Sequence, residues 1–346
     1  MLAAVAVAAA GIVPALAAGE SADRAGDERI ARDEGVPAAL GANDAPGFVQ
    51  VVDDNVENLP TAELQCPGDW QDLVYYLKRA PLKPDVFVVQ QISNQSQLSS
   101  YVSRLSNDLG EAYAGVIAEA SPAAMNSPCG PPKDHQTNAV IYRKARFTDR
   151  GLGERTWQAQ SDHNGTCANN DQARTKAVKV RLHDKIANKD LTVASVHWAT
   201  AQSGGGTACS ESNARETAAE LTEDGYGGSL LIFAGDHNVS DVSGGSFRPW
   251  YRLLNGDEGG GLGFRDAAYA GCGGDKGCLA DNWTIGGDRR IDFLFARKPS
   301  GGLPGVTGFH TITFNEGDAA DQAETGSDRG DRNYSDHRAV MARVHY

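Results

Sequence analysis

S-L-L-I-F-A-G-D-H-N-V-S-D, residues 229–241, joins two stretches of opposite chemistry. Leu230 to Ala234 is a short unbroken apolar run, the pattern of a strand buried on both faces. Gly235 then breaks the run, and Asp236, His237 and Asn238 follow at once. A carboxylate, an imidazole and an amide at the mouth of a buried strand are costly unless paired or solvated. Strand ends that open into loops are also where α/β enzymes collect their chemistry. Taken alone, the stretch reads equally as a strand followed by an Asp-rich turn; the rest of the chain has to decide.

Working outward, the same pattern recurs. Leu191 to Val196 runs into His197, and Asp85 to Gln91 is an apolar strand ending in amides. Phe48 to Val52 leads into Asp53, Asp54, Asn55, Val56, Glu57 and Asn58. Ile291 to Phe295 carries Asp292 inside it, and Asp336-His337 precedes a last strand at Ala339 to Val344. Further strands are expected at Ala112 to Ala118, Asn138 to Arg143 and Thr175 to Leu182. Helices are expected at Asp69 to Lys78, Gln95 to Asn107, Ser210 to Glu223 with Ser210 as its cap, and Phe247 to Leu254. Alternating strands and helices favour a layered α/β fold. Six strand ends carrying acids, amides or imidazoles imply one shared rim. Hard oxygen donors suit Mg²⁺ or Ca²⁺, and imidazoles and amides suit phosphate oxygens, a set fitted to phosphate-ester hydrolysis.

Composition bounds the partners. Lys plus Arg is 32 and Asp plus Glu is 45 in 346 residues, a net charge of −13. That opposes a basic-groove nucleic-acid binder driven by counterion release, but not an enzyme meeting phosphate through a cation. Six cysteines with no C-x-x-C pair favour disulfides over zinc, and Cys272 and Cys278 flank a loop that a short bridge closes. Leu2 to Ala18 is Ala-rich and ends in an A-x-A-like site, the apolar part of a secretory signal without its basic start. The competing membrane anchor is disfavoured by the shortness of the run. Residues 19–46 read as a polar, disordered leader, and 47–346 as one domain.

Against this background V-D-D-N-V-E-N-L at the first strand, D-V-F-V-V-Q-Q at the second, V-H-W at 196–198, A-G-D-H-N at 234–238, R-R-I-D-F-L-F at 289–295 and S-D-H-R at 335–338 occur in a telling order. The chain resembles the endonuclease/exonuclease/phosphatase superfamily, the deoxyribonuclease-I-like fold. The resemblance implies a four-layer α/β sandwich of two facing, mostly antiparallel sheets with outer helices. It implies a divalent-metal-dependent phosphodiesterase, with magnesium first and manganese or calcium as alternatives. By the same resemblance Asp236 activates the attacking water, Asn238 holds it or the phosphate, and Asn55 contacts the phosphate or the metal shell. His337 stands beside the scissile phosphate with Asp292 orienting it, and His197 stabilises or protonates the leaving oxygen. Arg143 contacts phosphate, and Asn55, Glu57, Gln91 and Asp336 form the metal side.

One position departs from the resemblance. Gln91 stands where the superfamily has a metal-binding glutamate, and an amide oxygen brings no formal charge. Glu57 or Asp336 supplies the charge, or the histidines carry more of the work, or the chain is a pseudoenzyme. The leading expectation is a secreted, monomeric endonuclease acting on DNA, with RNA as a second substrate, and without stable membrane association. The alternative is a sphingomyelinase-like or small phosphate-ester hydrolase, although no apolar hairpin for a membrane is evident.

Overall fold

A buried strand is cheapest when the next strand covers its backbone groups and a second layer covers its side chains. The computed structural model describes residues 41–56, 70–79, 82–125, 131, 134–200, 206–312 and 335–346, all within a unit spanning Pro37–Tyr346. In chain order its strands are β1 (Phe48–Asn55), β2 (Val86–Ile92), β3 (Tyr113–Ile117), β4 (Thr137–Arg143), β5 (Phe147–Asp149), β6 (Thr156–Gln158), β7 (Gln160–His163), β8 (Thr166–Asn169) and β9 (Lys176–Asp184). They continue with β10 (Lys189–His197), β11 (Leu230–Asp236), β12 (Val242–Ser243), β13 (Ser246–Phe247), β14 (Arg265–Asp266), β15 (Asp292–Arg297), β16 (Val306–Ile312) and β17 (Ala339–His345). The α-helices are α1 (Trp70–Arg79), α2 (Gln95–Leu109), α3 (Ser210–Glu220), α4 (Pro249–Leu254), α5 (Ala267–Cys272) and α6 (Lys276–Asp281).

Two large sheets result. One runs β16-β17-β1-β2-β4-β3, and the other β14-β15-β11-β10-β9-β5 with β6 also on β9. Among the pairs of these described strands, β1–β2 and β10–β11 are parallel and the others antiparallel. Alternation along each strand sorts its side chains. Val49 and Val51 of β1 and Leu230, Ile232 and Ala234 of β11 meet in the core between the sheets. Val52 packs outward against α1 and α2, while Leu231 and Phe233 pack outward against α3 and α4. Helices, sheet, sheet, helices: this is the expected four-layer sandwich. All seven residues of β11 are buried, as the continuous apolar run requires.

Three boundaries differ from the sequence reading. Gly235 does not end β11, which runs on through Asp236. Its φ is +144°, and a Cβ there would meet the Val196 carbonyl oxygen at 1.9 Å, so glycine lets β10 and β11 stay side by side to their ends. Cys209, not Ser210, is the cap residue of α3; the Ser210 hydroxyl donates instead to the Thr207 carbonyl. Residues 41–46 are packed rather than part of a loose leader: Gly41 bridges Leu82, and Asn43 is fully buried, bonding to Asp85 and Phe48. That docking is polar, so a hydrophobicity pattern does not register it. Cys66, Cys129, Glu57 and the acidic stretch 318–333 lie outside the described residues. The four described cysteines pair as Cys167–Cys209 and Cys272–Cys278.

Candidate active site

Register builds the site. Across one sheet His197 is the Cα partner of Asp236, and Asp236 of Asp292, so three polar strand ends stand in a row. On the facing sheet Asp53 pairs with Val340, which carries Asn55 to the level of the S-D-H segment. Ser335 ties that segment down: its hydroxyl donates to the Asn55 carbonyl at 2.6 Å and accepts the His337 N–H at 3.1 Å.

The two rows meet at one oxygen. Asp236 Oδ2 lies 3.3 Å from Asn55 Nδ2, 3.5 Å from His197 Nε2 and 3.9 Å from His337 Nε2. Asn55 Nδ2 is also 3.4 Å from His337 Nε2. His337 Nδ1 sits 2.9 and 3.1 Å from the two Asp292 oxygens. Asp292 is held in turn by Thr284, whose hydroxyl accepts the N–H groups of Ile291 and Asp292 at 3.0 Å. Asp236 Oδ1 accepts the Asn238 N–H at 2.7 Å, and Asn238 Nδ2 donates to the Trp198 carbonyl at 2.8 Å, with Asn238 at φ +52°. Five residues expected at one rim, His197, Asp236, Asn238, Asp292 and His337, therefore do share it, together with Asn55.

Burial sets the charges. It raises Asp236 to about 7, with Asp292 adding to the rise and His337 opposing it. Burial disfavours charge on His337, but Asp292 and Asp236 outweigh it and hold the imidazole up at about 10, an imidazolium at neutral pH. His197 is pushed well down by burial and by Arg174, so it is neutral, and its Nδ1 has no hydrogen-bond partner among the described residues. His237 turns away from the rim. Its Nδ1 donates to Gly235 O, its ring packs among Trp198, Trp250 and Phe293, and burial lowers it to about 4.

No protein-family model and no curated protein matches the chain. Solved structures do match. An endonuclease/exonuclease/phosphatase from Bacteroides vulgatus superposes with a TM-score of 0.54 at 17% identity, over 86% of this chain and 98% of that one. The human Nocturnin catalytic domain with bound sulfate anion gives 0.53 at 14%, over 89% and 96%, and a humanized D. rerio TDP2 gives 0.52 at 16%, over 86% and 98%. The chain has the endonuclease/exonuclease/phosphatase fold.

Within the endonuclease/exonuclease/phosphatase fold, the metal-side positions separate. Gln91 adopts φ +62° at a break in the β2–β4 register, and its Oε1 accepts from Gln136 Nε2 at 3.1 Å. That oxygen is engaged by another amide. Asp336 is half-exposed, with Oδ1 3.8 Å from His337 Nε2. Among the described residues, Asp236, Asp292 and His337 form an acid–acid–imidazole group with the donors to hold a metal ion, their ligand atoms lying within 4.8 Å of one another. Its donor chemistry fits a divalent cation: hard carboxylate oxygens plus an imidazole, with the carboxylates buried side by side. Because His337 Nδ1 is committed to Asp292, a proton and a cation compete for Nε2.

The Arg143 assignment is corrected by the fold. Arg143 pairs with Asp85 at 3.3 Å and with the Asn43 carbonyl, at the start of β2, while Asn55 pairs with Gln90 at its end. Five residues of strand put it roughly 17 Å from the rim. A cation whose charge acts on the site is Arg174, in the short turn before β9. Burial lowers its pKa, Asp236 opposes that, and Arg174 in turn depresses His197. Asn138 fixes the turn by donating to the carbonyls of Arg174 and Lys176. Arg174, Lys176, Lys179 and Arg181 read in the sequence as one row of alternating cations, but Lys179 lies on the outer face, fully buried and paired with Glu220. The three-residue step from Lys176 to Lys179 is the signal that the row changes face.

Proposed function

We propose that this chain is a phosphodiesterase of the endonuclease/exonuclease/phosphatase family, exported, and acting on nucleic acid, DNA first. The observation that carries the reading is the convergence of Asn55, His197 and His337 on Asp236 Oδ2, from strand ends of both sheets. The sulfate bound by the Nocturnin domain of the same fold supports a tetrahedral oxyanion as the guest. The two described disulfides and the Ala-rich start support export. The catalytic unit of this proposal is residues 41–346.

In this reading Asp236, once ionised, takes the proton from the attacking water as its oxygen bonds to phosphorus. His337, charged and oriented by Asp292, neutralises the phosphate and keeps a transferable proton at Nε2 for the departing oxygen. His197 is neutral and donates a hydrogen bond from Nε2 rather than a proton, which narrows its role to stabilising charge. Asn55 and Asn238 orient the phosphate and the water. Arg174 supplies the fixed positive charge that the amide at Gln91 does not. Asp236 and Asp292, with His337 once its Nε2 has given up its proton, are the residues that would hold a divalent cation, which would supply Lewis-acid polarisation of a phosphoryl oxygen in place of that proton.

Hydrolysis of single-stranded DNA, plasmid and sphingomyelin vesicles, each with Mg²⁺, Mn²⁺, Ca²⁺ or chelator, tests the proposal. DNA is expected to be cleaved, and Asp236→Asn and His337→Ala are expected to lower kcat by about 100- to 10,000-fold. Preference for sphingomyelin moves the assignment to the lipid branch; no hydrolysis under any condition makes the chain a pseudoenzyme.

A further inference from the structure

Tryptophan is the side chain most costly to leave in water without a use, and the chain has five. Trp70, Trp157, Trp198 and Trp250 are buried, at 9%, 8%, 2% and 1% exposure. Trp283 alone keeps part of its surface. Its surroundings are built. The Arg338 guanidinium carbon lies 3.3 Å from the centroid of its indole, and Arg338 is itself only 8% exposed, so one face of the ring is sealed by a fixed cation. No aromatic ring of another described residue packs on it.

The backbone on both sides of Trp283 is pinned. Before it, Asn282 Nδ2 donates to the Cys278 carbonyl beside the Cys272–Cys278 disulfide, and Asn282 Oδ1 accepts from Thr311. After it, the Thr284 carbonyl accepts the Arg338 N–H at 2.8 Å, and the Thr284 hydroxyl caps Asp292. Ile285 then bridges both Arg289 and His337. Trp283 is thus tied to both members of the Asp292–His337 pair, through the Thr284 hydroxyl to Asp292 and through the Ile285 bridge to His337, and its backbone lies two residues along the hairpin from that bridge, roughly 7 Å.

We propose that Trp283, backed by Arg338, is a stacking shelf for the nucleobase flanking the phosphate at His337, and that it directs the enzyme to single-stranded or unpaired nucleic acid. The proposal rests on the nucleic-acid reading above and deepens it. A base in a duplex is already stacked on both faces, so a lone indole shelf is useful only to a base that has left the stack. The cation under the ring adds attraction for the π-face it holds and keeps the indole from swinging away. A membrane wedge is not the match: the hairpin tip is Gly286, Gly287, Asp288 and Arg289, all exposed and none of them apolar enough to enter lipid.

The test uses the full chain and two fluorescent single-stranded oligonucleotides, one intact and one with the bases replaced by abasic tetrahydrofuran residues. Trp283→Ala is expected to raise KM for the intact strand by about 5- to 100-fold, with kcat little changed, and Trp283→Phe to recover most of the loss. On the abasic strand the Trp283→Ala penalty is expected to shrink to under about 3-fold, because no base remains to stack. Anisotropy of the intact strand bound to each variant reads the same difference without turnover, and thermal melting separates a lost shelf from a lost fold. Equal penalties on intact and abasic strands, or none on either, overturn the shelf while leaving the nuclease reading intact. Wild-type protein that cleaves and binds no oligonucleotide, or that cleaves duplex faster than single strand with Trp283→Ala unchanged, overturns the shelf as well, the first outcome also overturning the nuclease reading.

Discussion

A half-buried charged group beside buried acids and imidazoles acts through what is left unpaired around it. Arg174 is such a group: its Nε has no hydrogen-bond partner among the described residues, and its charge is felt by both Asp236 and His197. Removing one fixed donor of this kind costs roughly 100- to 1,000-fold in kcat where the charge of the transition state is the target. Arg174→Ala is therefore expected to fall in that range and Arg174→Lys to recover only part, since a point charge does not reproduce the planar fork; steady-state kinetics on DNA with a scan of metal concentration reads it. Gln91 gives the complementary expectation. Gln91→Glu places a carboxylate next to the Gln136 amide without changing shape. It is expected to tighten divalent-cation binding by at least about 10-fold by calorimetry, as a second or third carboxylate does in oxygen-ligand sites. Unchanged affinity would remove position 91 from the metal side altogether.

At the level of elements, the end of the sandwich away from the site is locked by an ionic cluster. Arg146 is fully buried between Asp85 at 3.2 Å and Asp184 at 2.7 Å, and it donates to the carbonyls of Asn43 and Ala45. Arg143 adds a further bond to the same Asn43 carbonyl. This clamp joins β2, the turn after β4, the end of β9 and the segment ahead of β1. Deleting one partner strands a buried charge at a cost of about 3–5 kcal/mol. Arg146→Ala is expected to lose that much in urea denaturation while keeping kcat, because the clamp lies at the opposite end of the strands from Asp236. Truncation to residue 46 is expected to lower the melting temperature below that of truncation to residue 40, as measured by calorimetry; equal melting of the two would show that the segment is not part of the fold.

For the molecule as a whole, acid behaves unusually because several carboxyls are buried without full compensation. Burial raises Asp85 from 3.8 to about 6, despite Arg146 and the Gln50 N–H pulling the other way, and raises Asp53 well above its ordinary value with Asp292 adding to it. A carboxyl whose folded value is raised binds its proton more tightly in the native state. Its contribution to stability is complete below the unfolded value and is lost as pH rises through the folded one. The denaturation midpoint is therefore expected to fall between pH 3.8 and about 6 on account of Asp85, and Asp85→Asn to flatten that limb. A midpoint that rises over that window in the wild type, with the same slope in Asp85→Asn, contradicts the assignment.

Chain order alone determined much of this protein. The apolar runs ending in Asp236, His197 and Asn55 fixed strands whose ends had to carry polar groups, and period-two burial and strand–helix alternation implied stacked sheets with outer helices, because those signals are local and additive along the chain. What the tertiary structure decided was which distant groups share a volume. Arg143 and Arg174 are both arginines near strand termini, and only register across sheets sends one to the clamp and the other to the rim. Residues 41–46 read as leader until polar partners some 40 to 100 residues away hold them. Pairwise electrostatics and hydrogen bonding depend on separation in space, and sequence records separation only along the backbone.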